Sequence, residues 1–151
     1  MTDSDSIIQM KGKIIYMLLT AAAAVFCSCN QAGKQEKALG PEDTVVEFCK
    51  AMACGDFTAA RELCDTVSMA PYIEACQEKW DNMARMDSAL VDIAAALLSS
   101  AQIDINETVR DGDCRKVFYT IDATMGMKKE KVATVKKEEG AWRVGMISDA
   151  Q

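Results

Sequence analysis

Cysteine is the residue type best able to do chemistry in this chain, because histidine is missing. The 151 residues contain seven cysteines and no histidine. Without an imidazole there is no Ser-His-Asp or Cys-His relay to activate a nucleophile. The commonest ligand of catalytic zinc is missing as well. No Cys-x-x-Cys pair occurs, so the spacing indicates neither a redox centre nor a zinc knuckle. The expectation is therefore no catalytic residue, no metal ligand and no cofactor.

Cys29 has the clearest role. Lys11 and Lys13 form a basic segment, Ile14 to Phe26 an uncharged apolar run, and Ser28 a small residue directly before Cys29. That order is the layout of a secretory signal. The run is shorter than the roughly 20 residues of a membrane-spanning helix. Because a cysteine closes it, the segment resembles a bacterial lipoprotein signal. The resemblance implies cleavage between Ser28 and Cys29, and acylation of Cys29 as the first mature residue. Asp3 and Asp5 do not suit a basic segment, so the expected start of translation is Met10 rather than Met1. The implied location is the cell envelope of a Gram-negative-type bacterium, lipid-anchored, with the outer membrane as the expected site.

This divides the chain into a signal over 1–28, a lipidated tether over 29–40 and a folded domain over 41–151. Asn30 to Gly40 is polar and carries Gly33 and Gly40, as a flexible tether would. The remainder suffices for one domain, burying about 65% of its unfolded surface. Its net charge is -6, which argues against nucleic acid as a partner. Lys128, Lys129, Lys131, Lys136 and Lys137 cluster, but Asp122, Glu130, Glu138 and Glu139 are interleaved. A solvated edge strand guarded by lysine explains them. Five cysteines fall in the domain: Cys49, Cys54, Cys64, Cys76 and Cys114. An odd number leaves at least one free. Cys49 and Cys76 sit on apolar helical faces and suit small buried side chains. Any bridge would join Cys64 to Cys49 or Cys54.

Pro41, Glu42 and Asp43 open a helix with the preferred proline and acidic charge. Val45, Phe48, Cys49 and Met52 recur at helical spacing until Gly55 stops them. Asp56 caps a short helix carrying Phe57, Ala60, Leu63 and Cys64. Beyond Pro71 a long helical pattern puts Tyr72, Cys76, Met83, Met86, Leu90, Ile93 and Leu97 on one stripe, with a break expected near Asp87-Ser88. After Ser100 the period falls to 2. Ile103, Ile105 and Val109 alternate with polar residues, and Asp111-Gly112-Asp113 signals a hairpin. Val117, Tyr119, Ile121, Ala123 and Met125 share one face of a second strand, with Phe118 and Asp122 opposite. A third strand covers about 129–137. Glu139-Gly140 turns into a fourth, with Trp142, Val144 and Met146 on one side. Helices followed by strands predict an α+β fold, with N-terminal helices packed on a four-stranded antiparallel sheet.

The stretch from Pro41 to Cys64 resembles the opening of the nuclear transport factor 2-like, or cystatin-like, cone. Gly55-Asp56-Phe57, Ala60 and Leu63 carry that likeness, with Asp111-Gly112-Asp113 and Gly140-Ala141-Trp142-Arg143-Val144 further on. The nearest likeness is to small bacterial lipoproteins of unknown function. The resemblance implies a curved sheet with a pocket at its open end, and a homodimer through the sheet. Residues suited to line the pocket are Phe48, Met52, Met83, Met86, Tyr119 and Trp142. Cone-fold isomerases and dehydratases use a pocket carboxylate with tyrosine or histidine, and only Asp122 with Tyr119 and Tyr72 compares. Asp122 and Tyr119 have opposite parity, so only one can face the pocket. Two functions remain. One is a non-catalytic module binding a small ligand or an envelope protein; the other is a cone-fold enzyme working by acid–base chemistry.

Overall fold

The computed structural model describes residues 38–123 and 126–150. The signal, Ser28, Cys29, most of the tether and Met125 lie outside the described residues. The domain runs α1 (Pro41–Cys54), α2 (Phe57–Glu62), α3 (Ala70–Met86), α4 (Ser88–Ser99), then β1 (Gln102–Asp111), β2 (Cys114–Ala123), β3 (Met127–Glu138) and β4 (Ala141–Asp149). The strands form one antiparallel sheet in the order β1-β2-β3-β4. The fold is α+β, helices first and sheet second. Among the described residues no helix is long and apolar enough to cross a membrane.

Local chemistry sets the boundaries. In α1, Thr44 Oγ1 donates to the Gly40 carbonyl at 2.8 Å, securing the first turn. Gly55 ends α1 with φ 73°, and a side chain there would meet the Trp80 ring at 3.4 Å. Asp56 Oδ1 accepts from the Ala59 N–H at 3.0 Å and caps α2. Asp87 is extended, with φ -163°, and its carboxylate accepts from the Ala89 N–H at 2.9 Å. One helix therefore stops at Met86 and another starts at Ser88. Two-residue turns close the first and last hairpins. Gly112 alone has positive φ in the first, whereas Glu139 and Gly140 both do in the last. These are the II′ and I′ arrangements that match strand twist.

The core is built where α1 meets the sheet. Val45 and Phe48 are buried with Val117, Tyr119, Ala133, Val135 and Val144, and Ala60, Cys64, Met69 and Ile73 complete the cluster. The segment after α2 is strapped to β4. Val144 N–H donates to the Leu63 carbonyl at 3.0 Å, and Asp65 N–H to the Val144 carbonyl at 2.8 Å. Arg143 also donates to the Glu62 carbonyl. These bonds cover part of an edge strand that would otherwise present free backbone groups.

Four sequence expectations are corrected by this arrangement. The lysine-rich strand is not an edge, because consecutive hairpins put β3 between β2 and β4. Only residues 127–130 lack a β4 partner. In β1, an irregularity between Ile105 and Glu107 shifts the pairing, so Thr108 turns inward and Val109 outward. In β4, a shift around Gly145 sends Met146 to solvent and lets Ile147 pack on the core beside Val144. Each bulge inserts one residue and inverts parity beyond it. The single helical stripe is also split. Ile73, beside Tyr72 on the Cys76 face, is α3's buried residue, and α4 contains no fully buried one. The break at Asp87 re-aims α4, so Val91, Ala94 and Ala95 are its half-buried positions while Leu90, Ile93 and Leu97 face solvent.

The split stripe gives opposite expectations for two isoleucines. Ile73 is 1% exposed and Ile93 is 55% exposed. Ile73→Ala should cost about 2–5 kcal/mol, and Ile93→Ala under about 0.5 kcal/mol. Urea melts showing equal losses would mean that one continuous apolar face is buried.

Candidate functional site

Helical and strand spacing bring three helices and the four strands around one cavity of about 250 Å³. Phe48, Cys49, Met52 and Ala53 come from one side of α1. Tyr72, Cys76 and Trp80, spaced i, i+4 and i+8, come from α3, and Leu98 from the end of α4. Ala101 joins α4 to the sheet. Ile103, Tyr119, Ile121, Ala123, Lys131 and Ile147 supply the remaining wall. Lys131 is the cross-strand partner of Tyr119, so both side chains emerge on the same face. Phe57 packs edge-on against Trp80, with ring centroids 6.4 Å apart and planes at 77°, and supports that wall. A second hollow of about 440 Å³ adjoins the first. Ala53, Leu98, Ala101 and Ile103 are common to both.

Phe48, Met52 and Tyr119 are thus the sequence-selected residues that line the cavity. Met83, Met86 and Trp142 are placed elsewhere. Met86 ends α3 and is 79% exposed, because the Asp87 break points it to solvent. Met83 is half-buried away from the cavity. Trp142 packs against the core from β4, and the Arg115 guanidinium carbon lies 5.4 Å from its ring centroid. Asp122 is outside the lining and pairs with Lys128 at 3.1 Å. The five cysteines of the domain are all free, Cys64 included.

The interior of the cavity is held neutral. Burial pushes the Cys49 thiol up to about 11, and a hydrogen bond with the Tyr119 hydroxyl opposes part of that rise. Burial also pushes the Tyr119 hydroxyl well above its ordinary value, with Cys49 and Tyr72 adding to the effect. Tyr72 is pushed up to about 12, by burial first and then by Cys76 and Cys49. Because Tyr72 is 42% exposed, solvent moderates this shift. Cys76 is raised by burial and lowered by Lys79. Near neutral pH both thiols are protonated, hence poor nucleophiles and poor metal ligands. The charged lining residue is Lys131, which pairs with Asp149 at the rim. Among the described residues, no three His, Cys, Asp or Glu side chains gather as a metal site.

Compared with known proteins, the chain matches no family model, no curated protein and no solved structure. The site is therefore argued from its own geometry. That geometry offers an apolar enclosure with two hydroxyls, two thiols and one cation. It can hold a small apolar body by burial and orient it through few polar contacts.

The raised thiol has a signed pH consequence. Its folded value near 11 exceeds the ordinary 9.0. Its contribution to stability is full below about pH 9 and is lost as pH rises through about 11. Melting temperatures of wild type should therefore fall across that window, and Cys49→Ala should fall less steeply. Parallel curves for the two proteins would show that Cys49 is not protected by burial.

Proposed function

We propose that this is a lipid-anchored envelope protein whose folded part, a nuclear transport factor 2-like cone, binds a small apolar ligand without turning it over. The supporting observation is the cavity between the helices and the sheet, lined by aromatic, aliphatic and sulfur-bearing side chains. Among the described residues no carboxylate belongs to that lining. General acid–base work needs a positioned group of suitable pKa within reach of the substrate. The tyrosines and thiols here are pushed up and hold their protons near neutrality. At the roughly 30 Å³ that a water occupies in the liquid, 250 Å³ takes about eight non-hydrogen atoms. A six- to eight-carbon chain or a bicyclic ring fits that size.

The anchoring part of the proposal rests on the Lys11–Lys13, Ile14–Phe26 and Ser28-Cys29 order in the sequence. One acyl chain gives only marginal attachment, so several chains on Cys29 would be required. Cys29→Ala should release the protein from membranes or leave it unprocessed. Fractionation and processed mass identical to wild type would remove the anchor from this proposal.

Ligand binding is tested through Ala53, which borders both hollows. Titration of the purified protein with 1-octanol, followed by nuclear magnetic resonance shifts, should saturate at residues of α1, α3 and β2. Ala53→Phe fills the space and should weaken that binding by about tenfold or more, a loss of about 1.4 kcal/mol. Unsaturable shifts spread over the surface would count against a ligand site. Product formation from host metabolite extract that is lost in Asp122→Asn would favour the enzyme reading instead.

A further inference from the structure

We infer that the cavity is built for an apolar ligand bearing one anionic end, a medium-chain carboxylate, whose charge is received by Lys131 at the rim. This rests on the reading of the cavity as a ligand site and names the chemistry of what enters it. The first observation is position. Lys131 is the charged member of a lining otherwise made of apolar, hydroxyl and thiol groups. Its cross-strand pairing with Tyr119 puts its aliphatic stem beside the cavity wall. A lysine so placed lays its methylenes along apolar surface and keeps the ammonium at the wet end.

The second observation is the asymmetry of its ion pair. The Lys131 side chain is 25% exposed, while that of its partner Asp149 is 81% exposed. Asp149 ends β4 and also lies in the field of Lys129. Asp149 is hydrogen-bonded to Lys131 but stands mostly in solvent, and an ion pair so exposed contributes little, so a ligand carboxylate arriving from the cavity can compete for the ammonium. A shallow depression at this end of the sheet is bordered by Lys128, Lys129 and Lys131 together with Glu130 and Asp149, which leaves a small excess of positive charge where the anionic end emerges. The apolar end meets Phe48, Met52, Trp80 and Ile103. Size excludes the two chains of a phospholipid, since the cavity takes only about eight non-hydrogen atoms.

Isothermal titration calorimetry of the whole chain with octanoate and with 1-octanol tests this. The two share a chain length and differ in the charged end. Wild type should prefer octanoate by about tenfold, the range of a hydrogen bond to a charged group. Lys131→Met should bring the ratio of the two affinities close to one, and Lys131→Arg should keep the preference. Asp149→Asn removes the competing carboxylate and should tighten octanoate relative to octanol. A purely structural role for the pair would weaken both ligands alike in both variants. If 1-octanol binds but octanoate is not preferred, or the preference survives Lys131→Met, the assignment of Lys131 is wrong. If neither compound binds saturably, the ligand-site reading fails with it. Should Lys131→Met not fold, the response of Asp149→Asn decides alone.

Discussion

The packing of Val45, Phe48 and Cys49 on α1 against Tyr119 and its neighbours on the sheet is the constraint on which most of this domain depends. Tyr119 sits on β2, is 1% exposed, and is among the largest fully buried side chains. A hydroxyl that deep costs several kcal/mol if it finds no partner. Its partner is the Cys49 thiol, one turn after Val45 on α1. Burial of Val45 and Phe48 sets the rotation of α1 over the sheet, and with it the side of α1 that carries Met52 and Ala53. Once α1 is fixed, α3 and α4 close the remaining side through Tyr72, Cys76, Trp80 and Leu98. Burial keeps both the Tyr119 hydroxyl and the Cys49 thiol protonated, so the interior has no charge that would draw in water.

The elements were legible in the sequence because their signals are local. Pro41, Gly55, Asp56, Asp87, Gly112 and Glu139-Gly140 each act within a few residues, through caps and turn geometry that do not depend on packing. Strand parity was legible only as far as the bulges. Gly145 inside a strand permits a bulge without requiring one, and nothing near Asn106 signals the other. The shift in β4 arises because Val144 must bond to Leu63 and Asp65 while Ile147 still faces the core. Ile147 replaces Met146 there for a tertiary reason that alternation cannot express. The central position of β3 is likewise topological, since lysines on a strand describe its solvent exposure and not its neighbours.

The site was legible in part for the same reason. Phe48, Met52 and Tyr119 belong to strongly periodic faces of the two elements that meet at the centre of the core. Met83 and Met86 lie in the last turn of α3, past Trp80 and outside the cavity, and the helix ends at the break expected near Asp87-Ser88. Trp142 was chosen for size, and size brought it to the core's margin under Arg115. Cys76 and Trp80 share the i, i+4, i+8 line that begins at Tyr72, so extending that line would have found them. Lys131 had no local signal. Its importance comes from register, because pairing with Tyr119 is what turns one lysine of a solvated run toward the cavity.

The lining residues suggest why space is left between well-packed layers. Cavity volume costs stability, at about 24 cal/mol per Å³ when large side chains are removed from cores. Three lining positions, Ala53, Ala101 and Ala123, carry alanine where a larger apolar side chain would reach further inward. Met52 supplies a flexible, polarizable wall that can follow the shape of different contents. Around that space the polar groups are ordered by depth, with the Tyr119 hydroxyl bonded to Cys49 inside and an ammonium at the rim. Proton transfer would want the reverse, a titratable group inside and apolar closure outside. The order found here favours a molecule whose body is apolar and whose one charged end remains near water.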